Sequence, residues 1–125
     1  MHELSIAEAM VRIACDHAGG RSVTRVEVRI GHLRQVVPDA LEFAFELVAQ
    51  GTPAEGAALA IEHVPAEGVC AACGARTVLD GFPLQCAACG GLQLELLRGE
   101  ELLVDAIELE DLVTTTDDGR MLHGR

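Results

Sequence analysis

Four cysteines in two matched pairs are the residues whose type and spacing point most directly to chemistry. Cys70 and Cys73 enclose two alanines, Cys86 and Cys89 repeat the arrangement after twelve intervening residues, and a glycine follows each pair. Two such turns supply four thiolates, which is a closed tetrahedral set for zinc. A closed set leaves no open coordination position, so the spacing predicts a structural metal. Iron of the rubredoxin type is the main alternative, and paired disulfides are a more remote one.

The first three residues offer a second set of donor atoms. By themselves His2 and Glu3 are most simply solvated residues at a chain terminus. The α-amine of Met1, the amide nitrogen of residue 2 and the imidazole of His2 can also form fused chelate rings around one ion, with Glu3 completing the set. Such a nitrogen-rich set suits Ni(II) or Cu(II), and the spacing alone does not choose between them.

Composition and charge exclude several classes of protein. The 125 residues include 9 basic residues, all of them arginine, against 20 acidic residues, for a net charge of −11. Four thiolates around one zinc ion add a further −2 and bring the total to about −13, so the surface repels nucleic acid and attracts divalent cations. No segment approaches the ~20 apolar residues of a membrane-spanning helix. We expect a cytoplasmic protein with reduced thiols and without a membrane or nucleic-acid partner.

The first half of the chain predicts a helix, a strand and a second helix. Ser5 with Glu8 is a capping-box pattern and predicts a helix over 5–18 that ends at Gly19. Alternating residues predict a strand over 22–31, and Pro38 opens a second helix that Gly51 closes. The predicted core stripe of the first helix is Leu4, Ala7, Val11, Ala14, Cys15 and Ala18, and that of the second is Leu41, Ala44, Phe45 and Val48, widened by Phe43 and Leu47.

Two further strands complete the main domain and enclose a segment of different composition. Leu59 and Ile61 alternate with polar or small residues, and residues 101–109 are strand-like, with a change of phase between Ala106 and Ile107. These helices and strands form a main domain of residues 1–65 and 101–113. Residues 66–100, with the four cysteines, form an inserted zinc-ribbon-like domain, and residues 114–125 form a flexible tail.

The remaining candidate ligands have simpler interpretations. Asp39 lies in the first turn of the second helix, where a carboxylate complements the helix dipole. His17 and His32 lie near loop boundaries without a partner at ligand spacing, and His63 is expected in the core or at the edge of a strand. His123 falls in the predicted tail. No pattern of nucleophile, base or paired carboxylates stands out, so we expect no enzyme.

In combination and order, these segments resemble the HypA/HybF family of hydrogenase maturation proteins. No single segment except the cysteine pairs is specific to the family, but together they cover residues 1–112. They are Met1-His2-Glu3, the Ser5-led helix, Val26-Glu27-Val28-Arg29-Ile30-Gly31, Pro38-Asp39-Ala40-Leu41, Phe43-Ala44-Phe45, Gly51-Thr52-Pro53 and the two CxxCG pairs. The second pair departs from the Cys-Pro-x-Cys that is common in the family.

The resemblance implies a nickel metallochaperone of the α+β class, with two helices on an antiparallel sheet and a zinc domain inserted before the last strand. It implies that His2 is the principal Ni(II) ligand, with the Met1 amine, backbone amides and Glu3 completing the site and Asp39 nearby. It implies structural zinc on the four cysteines. We also expect a monomer or a weak homodimer. The implied partners are a HypB-type GTPase and the large subunit of [NiFe]-hydrogenase, with urease as a further target in some bacteria. A rubredoxin-like electron-transfer protein and a zinc-ribbon adaptor without a nickel role are the alternatives.

Overall fold

The computed structural model describes residues 2–110 and 112–115, and these residues form two compact units. The first unit comprises residues 1–29, 36–62 and the chain from 102 onward, and the second comprises residues 30–35 and 63–101. The predicted tail, apart from Thr114 and Thr115, lies outside the described residues. The elements are α1 (Glu3–Ala18), β1 (Val23–Gly31), a 3-10 turn (His32–Arg34), α2 (Pro38–Ala49), β2 (Ala58–Val64), β3 (Ala66–Cys70), β4 (Arg76–Leu79), β5 (Leu94–Arg98), β6 (Leu102–Leu109) and β7 (Leu112–Thr115).

Helix α1 begins earlier than the capping-box pattern predicts. Its first residue is Glu3 and its N-cap is His2, which makes no side-chain capping hydrogen bond. Ser5 lies inside the first turn, and its hydroxyl donates to the His2 carbonyl at 3.1 Å. The prediction that Ser5 caps the helix is therefore wrong. The C-terminal end agrees with the sequence, because Gly19 takes the left-handed conformation, with φ at 60°.

The core stripe of α1 differs from the predicted one because this helix is buried on more than one side. Leu4 is 55% exposed and Cys15 is half-buried, whereas Ile6, Met10 and Ile13 are buried. Helix α1 packs against α2 and also contacts β6. A helix between two neighbours buries a wider arc than a helix on the surface of a domain.

Helix α2 buries a narrower stripe than its sequence predicts. Leu41, Ala44 and Phe45 are buried as expected, but Phe43 is 67% exposed and Leu47 is 46% exposed. These two residues lie one turn apart on the helix, so both belong to its outer face. The predicted widening of the core by Phe43 and Leu47 is therefore wrong.

A four-stranded sheet, in the order β2-β1-β6-β7, provides the other wall of the core, and this confirms the α+β class. Along β1 Val26, Val28 and Ile30 are buried, as their alternation predicts. The side chains between them are half-buried and charged. Arg29 pairs with Asp105 on β6 at 3.0 Å. In β6 the burial pattern changes phase around residues 105 and 106, where the sequence predicts an irregularity.

The second unit contains a three-stranded sheet in the order β4-β3-β5, and β3 pairs antiparallel with both neighbours. A register shift interrupts the β3–β5 pairing between Glu67 and Gly68. This small sheet carries the two cysteine pairs at its ends. Among the described residues, no helix is both long and apolar enough to cross a membrane.

Candidate metal centre

The first cysteine pair is held in a tight turn by two backbone hydrogen bonds. The N–H of Gly74 donates to the Cys70 carbonyl at 2.8 Å, and the N–H of Cys70 donates to the Ala75 carbonyl at 2.9 Å. Gly74 has a φ of 78°, in the left-handed region that favours glycine. The glycine after the second cysteine is therefore a geometric requirement of this turn.

The second pair repeats the first turn almost atom for atom. The N–H of Gly90 donates to the Cys86 carbonyl at 2.9 Å, and the N–H of Cys86 donates to the Gly91 carbonyl at 2.8 Å. Gly90 has a φ of 76°. Ala87 stands where the pattern of the family that the sequence resembles commonly has proline, and the second turn still makes the same two hydrogen bonds as the first.

The two turns bring the four sulfur atoms together. All four lie within 4.8 Å of one another, and no other group of three or more histidine, cysteine or acidic residues in the described part of the chain is arranged in this way. The Sγ atoms of Cys70 and Cys89 are 3.6 Å apart, as are those of Cys73 and Cys86. Metal–sulfur bonds of about 2.3 Å place tetrahedral ligands about 3.8 Å apart, so the spacing fits zinc. All four cysteines are free and not paired in disulfides.

Each turn lowers the pKa of the first thiol of its cysteine pair, which favours metal binding. The N–H groups of Cys89 and, to a smaller extent, Ala88 point at the Cys86 sulfur and lower the pKa of that thiol to about 6, although burial opposes them. The pKa of Cys70 is lowered in the same way by the N–H of Cys73. Hydrogen bonds stabilise the thiolate form, and the thiolate is the form that binds metal.

The second sulfurs behave differently in the absence of a cation. The N–H of Ala75 lowers the pKa of Cys73, but contacts with the sulfurs of Cys86 and Cys89 outweigh it and raise that pKa to about 11. The pKa of Cys89 is also raised. The thiols of Cys73 and Cys89 therefore keep their protons more strongly than ordinary thiols do. A metal ion that binds to these sulfurs must displace the protons, so metal binding is coupled to proton release.

Two hydrogen bonds fix the turns to the small sheet. The N–H of Ala71 donates to the Gln93 carbonyl at 2.8 Å, and the N–H of Ala87 donates to the Thr77 hydroxyl at 3.3 Å. Thr77 is buried and lies on β4. The sequence predicts the four ligands, but these supporting contacts have no spacing signal that would reveal them.

The predicted N-terminal site lies at the start of α1. His2 is exposed and is the N-cap of the helix. Met1, whose amine is an expected ligand, lies outside the described residues. The first backbone N–H groups of a helix have no acceptor within the helix. The first intrahelical hydrogen bond of α1 runs from the Ile6 N–H to the His2 carbonyl at 3.1 Å.

Glu3 is buried, which its place near the chain terminus does not suggest. It is 6% exposed, and its Oε2 accepts a hydrogen bond from the Val37 N–H at 3.0 Å. The pKa of Glu3 is lowered to about 2, first by its interaction with the chain's amino group and then by the Val37 N–H, against the effect of burial. The carboxylate therefore joins the first turn of α1 to the residue that precedes α2.

The contact between Glu3 and Val37 shows where Asp39 lies relative to α1, which the sequence alone does not show. Val37 is the N-cap of α2, and Asp39 is the exposed acidic residue of its first turn. Because Glu3 bonds to Val37, the start of α1 and the start of α2 lie side by side. His2, Glu3 and Asp39 therefore belong to one end of the helix pair.

The other histidines are placed differently from one another. His17 contacts the Ile13 carbonyl one turn earlier in α1, at 2.9 Å. His32 has no partner at ligand spacing in the sequence, but the fold brings its Nδ1 to 3.2 Å from Nε2 of His63. His63 is exposed near the end of β2, which agrees with an edge position and not a core one. His123 lies outside the described residues.

The fold and the cysteine cluster define the class of protein: an α+β protein with a four-thiol site that fits a metal ion. The family model described as hydrogenase/urease nickel incorporation, metallochaperone, HypA matches residues 1–109. The chain therefore belongs to the HypA family.

Relatives and solved structures agree with this assignment. The hydrogenase maturation factor HypA of Geotalea uraniireducens is 47% identical over 110 residues, which are 88% of this chain and 100% of that protein. The HypA of Nostoc punctiforme is 44% identical over 112 residues, 90% of this chain and 98% of that one. The solution structure of the Ni metallochaperone HypA from Helicobacter pylori, at 22% identity, covers 92% of this chain and 98% of that chain with a TM-score of 0.56, which supports the fold.

Family membership decides between the functions that the sequence leaves open. The matched model spans the main domain and the cysteine pairs together, as the resemblance predicts. The chain is a nickel metallochaperone of hydrogenase maturation, and the rubredoxin-like and adaptor alternatives are not supported.

Proposed function

We propose that this chain carries one Ni(II) ion on its N-terminal residues and delivers it to the large subunit of a [NiFe]-hydrogenase. The His2 imidazole is the principal ligand, and the Met1 amine, backbone amides, Glu3 and Asp39 provide or support the remaining positions. The observation that carries this proposal is the hydrogen bond from Val37 to Glu3, because it gathers the candidate ligands of two helices at one end of the first unit.

The proposed site has the properties of a carrier. A donor must hold the ion selectively and still release it to the next protein. His2 is exposed, and an exposed site at the start of a helix allows an incoming ligand to reach the ion, so transfer proceeds by exchange of one ligand at a time. No catalytic step is required, so we classify the chain as a maturation factor that is not itself an enzyme.

Glu3 has a separate part in this proposal. Its Oε2 is already engaged by the Val37 N–H, and its side chain is buried. We assign the Glu3 carboxylate the role of fixing the position of His2 relative to α2, and the Glu3 amide nitrogen the role of a further ligand beside the His2 imidazole. The planar, nitrogen-rich set that results suits Ni(II).

Zinc is the proposed resident metal of the four-cysteine site. Two sulfur pairs at 3.6 Å and two first sulfurs whose pKa values are lowered fit a closed tetrahedral set of thiolates. Cys70, Cys73, Cys86 and Cys89 would hold the ion. Bound zinc supplies folding free energy and no reaction, since all four positions are filled. Reduced, free thiols of this kind accord with a cytoplasmic location.

The proposed partners are a HypB-type GTPase and the hydrogenase large subunit. The named relatives are hydrogenase maturation factors, and the family description includes urease as well as hydrogenase. A strongly acidic chain, with a net charge of −11, is suited to basic protein surfaces and not to nucleic acid.

A nickel titration tests the proposed site. The zinc-loaded parent protein, His2→Ala, His17→Ala and a variant with extra residues before Met1 are each titrated with Ni(II) by calorimetry. We expect one ion to bind to the parent and to His17→Ala, and at least ~10-fold weaker binding in the other two, since each loses a ligand. Equal binding by all four proteins would contradict the proposed N-terminal site.

The delivery step needs a test in cells. A strain that lacks its own HypA is complemented with the parent chain or with His2→Ala, and hydrogenase activity is measured with and without excess nickel in the medium. We expect the parent to restore activity and His2→Ala to restore it only with excess nickel. Restoration by His2→Ala without added nickel would contradict the proposed role of His2.

A further inference from the structure

Two histidines from distant parts of the sequence meet in the second unit. His32 follows directly after β1 and His63 lies near the end of β2, thirty-one positions apart. Nδ1 of His32 is 3.2 Å from Nε2 of His63, and the two rings are T-shaped, with centroids 5.4 Å apart. His32 is half-buried and His63 is exposed, so the two nitrogens can be reached from solvent.

The other nitrogen of His32 is also bonded, and this settles which nitrogen carries the proton. Nε2 of His32 contacts the backbone carbonyl of Asp80. A carbonyl oxygen can only accept, so Nε2 must carry the hydrogen, and in the neutral ring the lone pair lies on Nδ1. The lone pair of His32 therefore faces His63.

This arrangement is the one that protein metal sites use to prepare a histidine ligand. A ligating histidine commonly donates its second ring N–H to a carboxylate or a backbone carbonyl, which fixes the tautomer and raises the basicity of the ligating nitrogen. The Asp80 carbonyl does this for His32. Among the described residues, no further hydrogen bond fixes the tautomer of His63. Its Nε2 can therefore serve as the second metal ligand.

The separation of the two nitrogens also fits a shared ion. Metal–nitrogen bonds of about 2.1 Å with the nitrogens 3.2 Å apart give a nitrogen–metal–nitrogen angle of roughly 100°. That angle lies between the square-planar or octahedral value of about 90° and the tetrahedral value of about 109°. A single divalent cation can therefore bridge the two nitrogens from a position about 1.4 Å off the line that joins them, once the hydrogen leaves and the two rings turn towards the ion.

We propose that His32 and His63 form a second binding site for a borderline divalent cation such as Ni(II), Cu(II) or Zn(II). The site provides two imidazole ligands, and water fills the remaining positions. It is weaker than the four-cysteine site and more readily exchangeable, because half or more of its coordination positions are open. It is separate from the N-terminal residues and does not depend on them.

The test uses a background without the proposed N-terminal ligand His2 and without His123 of the predicted tail. In zinc-loaded protein with His2→Ala and His123→Ala, the remaining histidines are His17, His32 and His63. Ni(II) alone is titrated while the ring nitrogen signals are followed by NMR. We expect paramagnetic broadening of the His32 and His63 signals at nickel concentrations that leave His17 unaffected.

Variants give the second measurement. His63→Ala and His32→Ala in this background are each expected to weaken Ni(II) binding about 10- to 100-fold, whereas His17→Ala leaves it unchanged. Because His63 is exposed, His63→Ala should keep the fold, and retained zinc with an unchanged amide spectrum checks this. Broadening of all three histidines together, or equal binding by His63→Ala and His17→Ala, would show a plain hydrogen bond between the rings and overturn the proposal. Because the background lacks His2, neither result bears on the N-terminal nickel site.

Discussion

Gly99 and Ala66 pack so closely that no further atom fits between their backbones. A Cβ added to Gly99 would come within 2.6 Å of the Ala66 Cβ, and Gly99 has a φ of 120°. Ala66 is fully buried at the start of β3. The carbonyl of Gly99 accepts the Leu33 N–H at 2.9 Å, so the same glycine also holds residues 30–35 in the second unit. Both the close approach and the backbone conformation require glycine.

Gly99→Ala is therefore expected to destabilise the second unit by more than about 2 kcal/mol, through steric overlap and backbone strain. Urea unfolding of the zinc-loaded protein, followed by the NMR signals of β3 and β5, measures the change. Gly81→Ala is the matched control, because Gly81 has open space around it and no positive φ. An equal, small effect of both substitutions would contradict the packing described here.

The Thr77 hydroxyl is expected to control how firmly the second cysteine pair holds its metal. Thr77→Val keeps the shape of the side chain but removes the acceptor for the Ala87 N–H, so this turn loses its hydrogen bond to β4. Loss of such an outer contact typically costs about 10- to 100-fold in metal affinity. The rate of zinc transfer to a chromophoric chelator should rise accordingly.

Thr24→Val provides the comparison for Thr77→Val. The Thr24 hydroxyl also makes a hydrogen bond to the backbone, to the Glu108 carbonyl at 3.0 Å, but in the first unit. We expect Thr24→Val to leave zinc transfer unchanged. The same acceleration in both variants would mean that the Thr77 contact has no special effect on the metal site.

Glu3 is expected to make the first unit sensitive to acid. Its pKa is about 2 in the folded protein, below its ordinary value of 4.5. A carboxyl group with a depressed pKa stabilises the fold fully above about pH 4.5, and this contribution is lost as the pH falls towards 2. Glu3→Gln retains an acceptor for the Val37 N–H but loses the charge, so it should destabilise α1 by about 1 kcal/mol at neutral pH.

Hydrogen exchange of the α1 amides measures this difference at several pH values. The gap between the parent protein and Glu3→Gln should shrink as the pH falls below about 4.5. Glu8→Gln is the control, because Glu8 is an exposed acid on the same helix. A gap that stays constant down to pH 3 would show that the charge of Glu3 contributes nothing.

These contacts also show where sequence reasoning succeeds and where it stops. The cysteine spacing, the alternation along β1 and the left-handed Gly19 all follow from local rules, and the structure agrees with each. The start of α1 does not, because Ser5 satisfies the local capping pattern while Glu3 is fixed by Val37, thirty-four positions away. Only the tertiary contact shows that the helix begins at Glu3.

The sequence does not predict the exposed face of α2 or the histidine pair, and the reason is the same for both. Phe43 is apolar and one turn from Leu47, so helical periodicity assigns both to the core, but both side chains are exposed, and α2 packs against α1 with the side that carries Leu41, Ala44 and Phe45. His32 has no ligand-spaced neighbour in the sequence, because its partner His63 is brought in by the fold. Local pattern predicts elements, whereas pairings between distant residues depend on topology.

Removal of the metal is expected to unfold the second unit while the first keeps its structure. Among the described residues of the second unit, the buried apolar side chains other than cysteine are only Ile30, Val64, Ala66 and Leu79. So small a core cannot offset the entropy of ordering the segment, whereas the first unit buries Phe45, Met10 and several other large side chains. Metal binding therefore supplies most of the folding free energy of the second unit.

Treatment with a strong chelator, or the substitution Cys86→Ser, should remove the NMR signals of β3, β4 and β5 and leave those of α1 and β1 in place. Cys15→Ser is the control, because Cys15 is a free cysteine outside the cluster. It should retain one zinc ion per chain, measured by elemental analysis, and a complete spectrum. If the β3–β5 signals persist in the metal-free protein, the small sheet is stable without the ion, and the zinc would then act only on the local shape of the two cysteine turns.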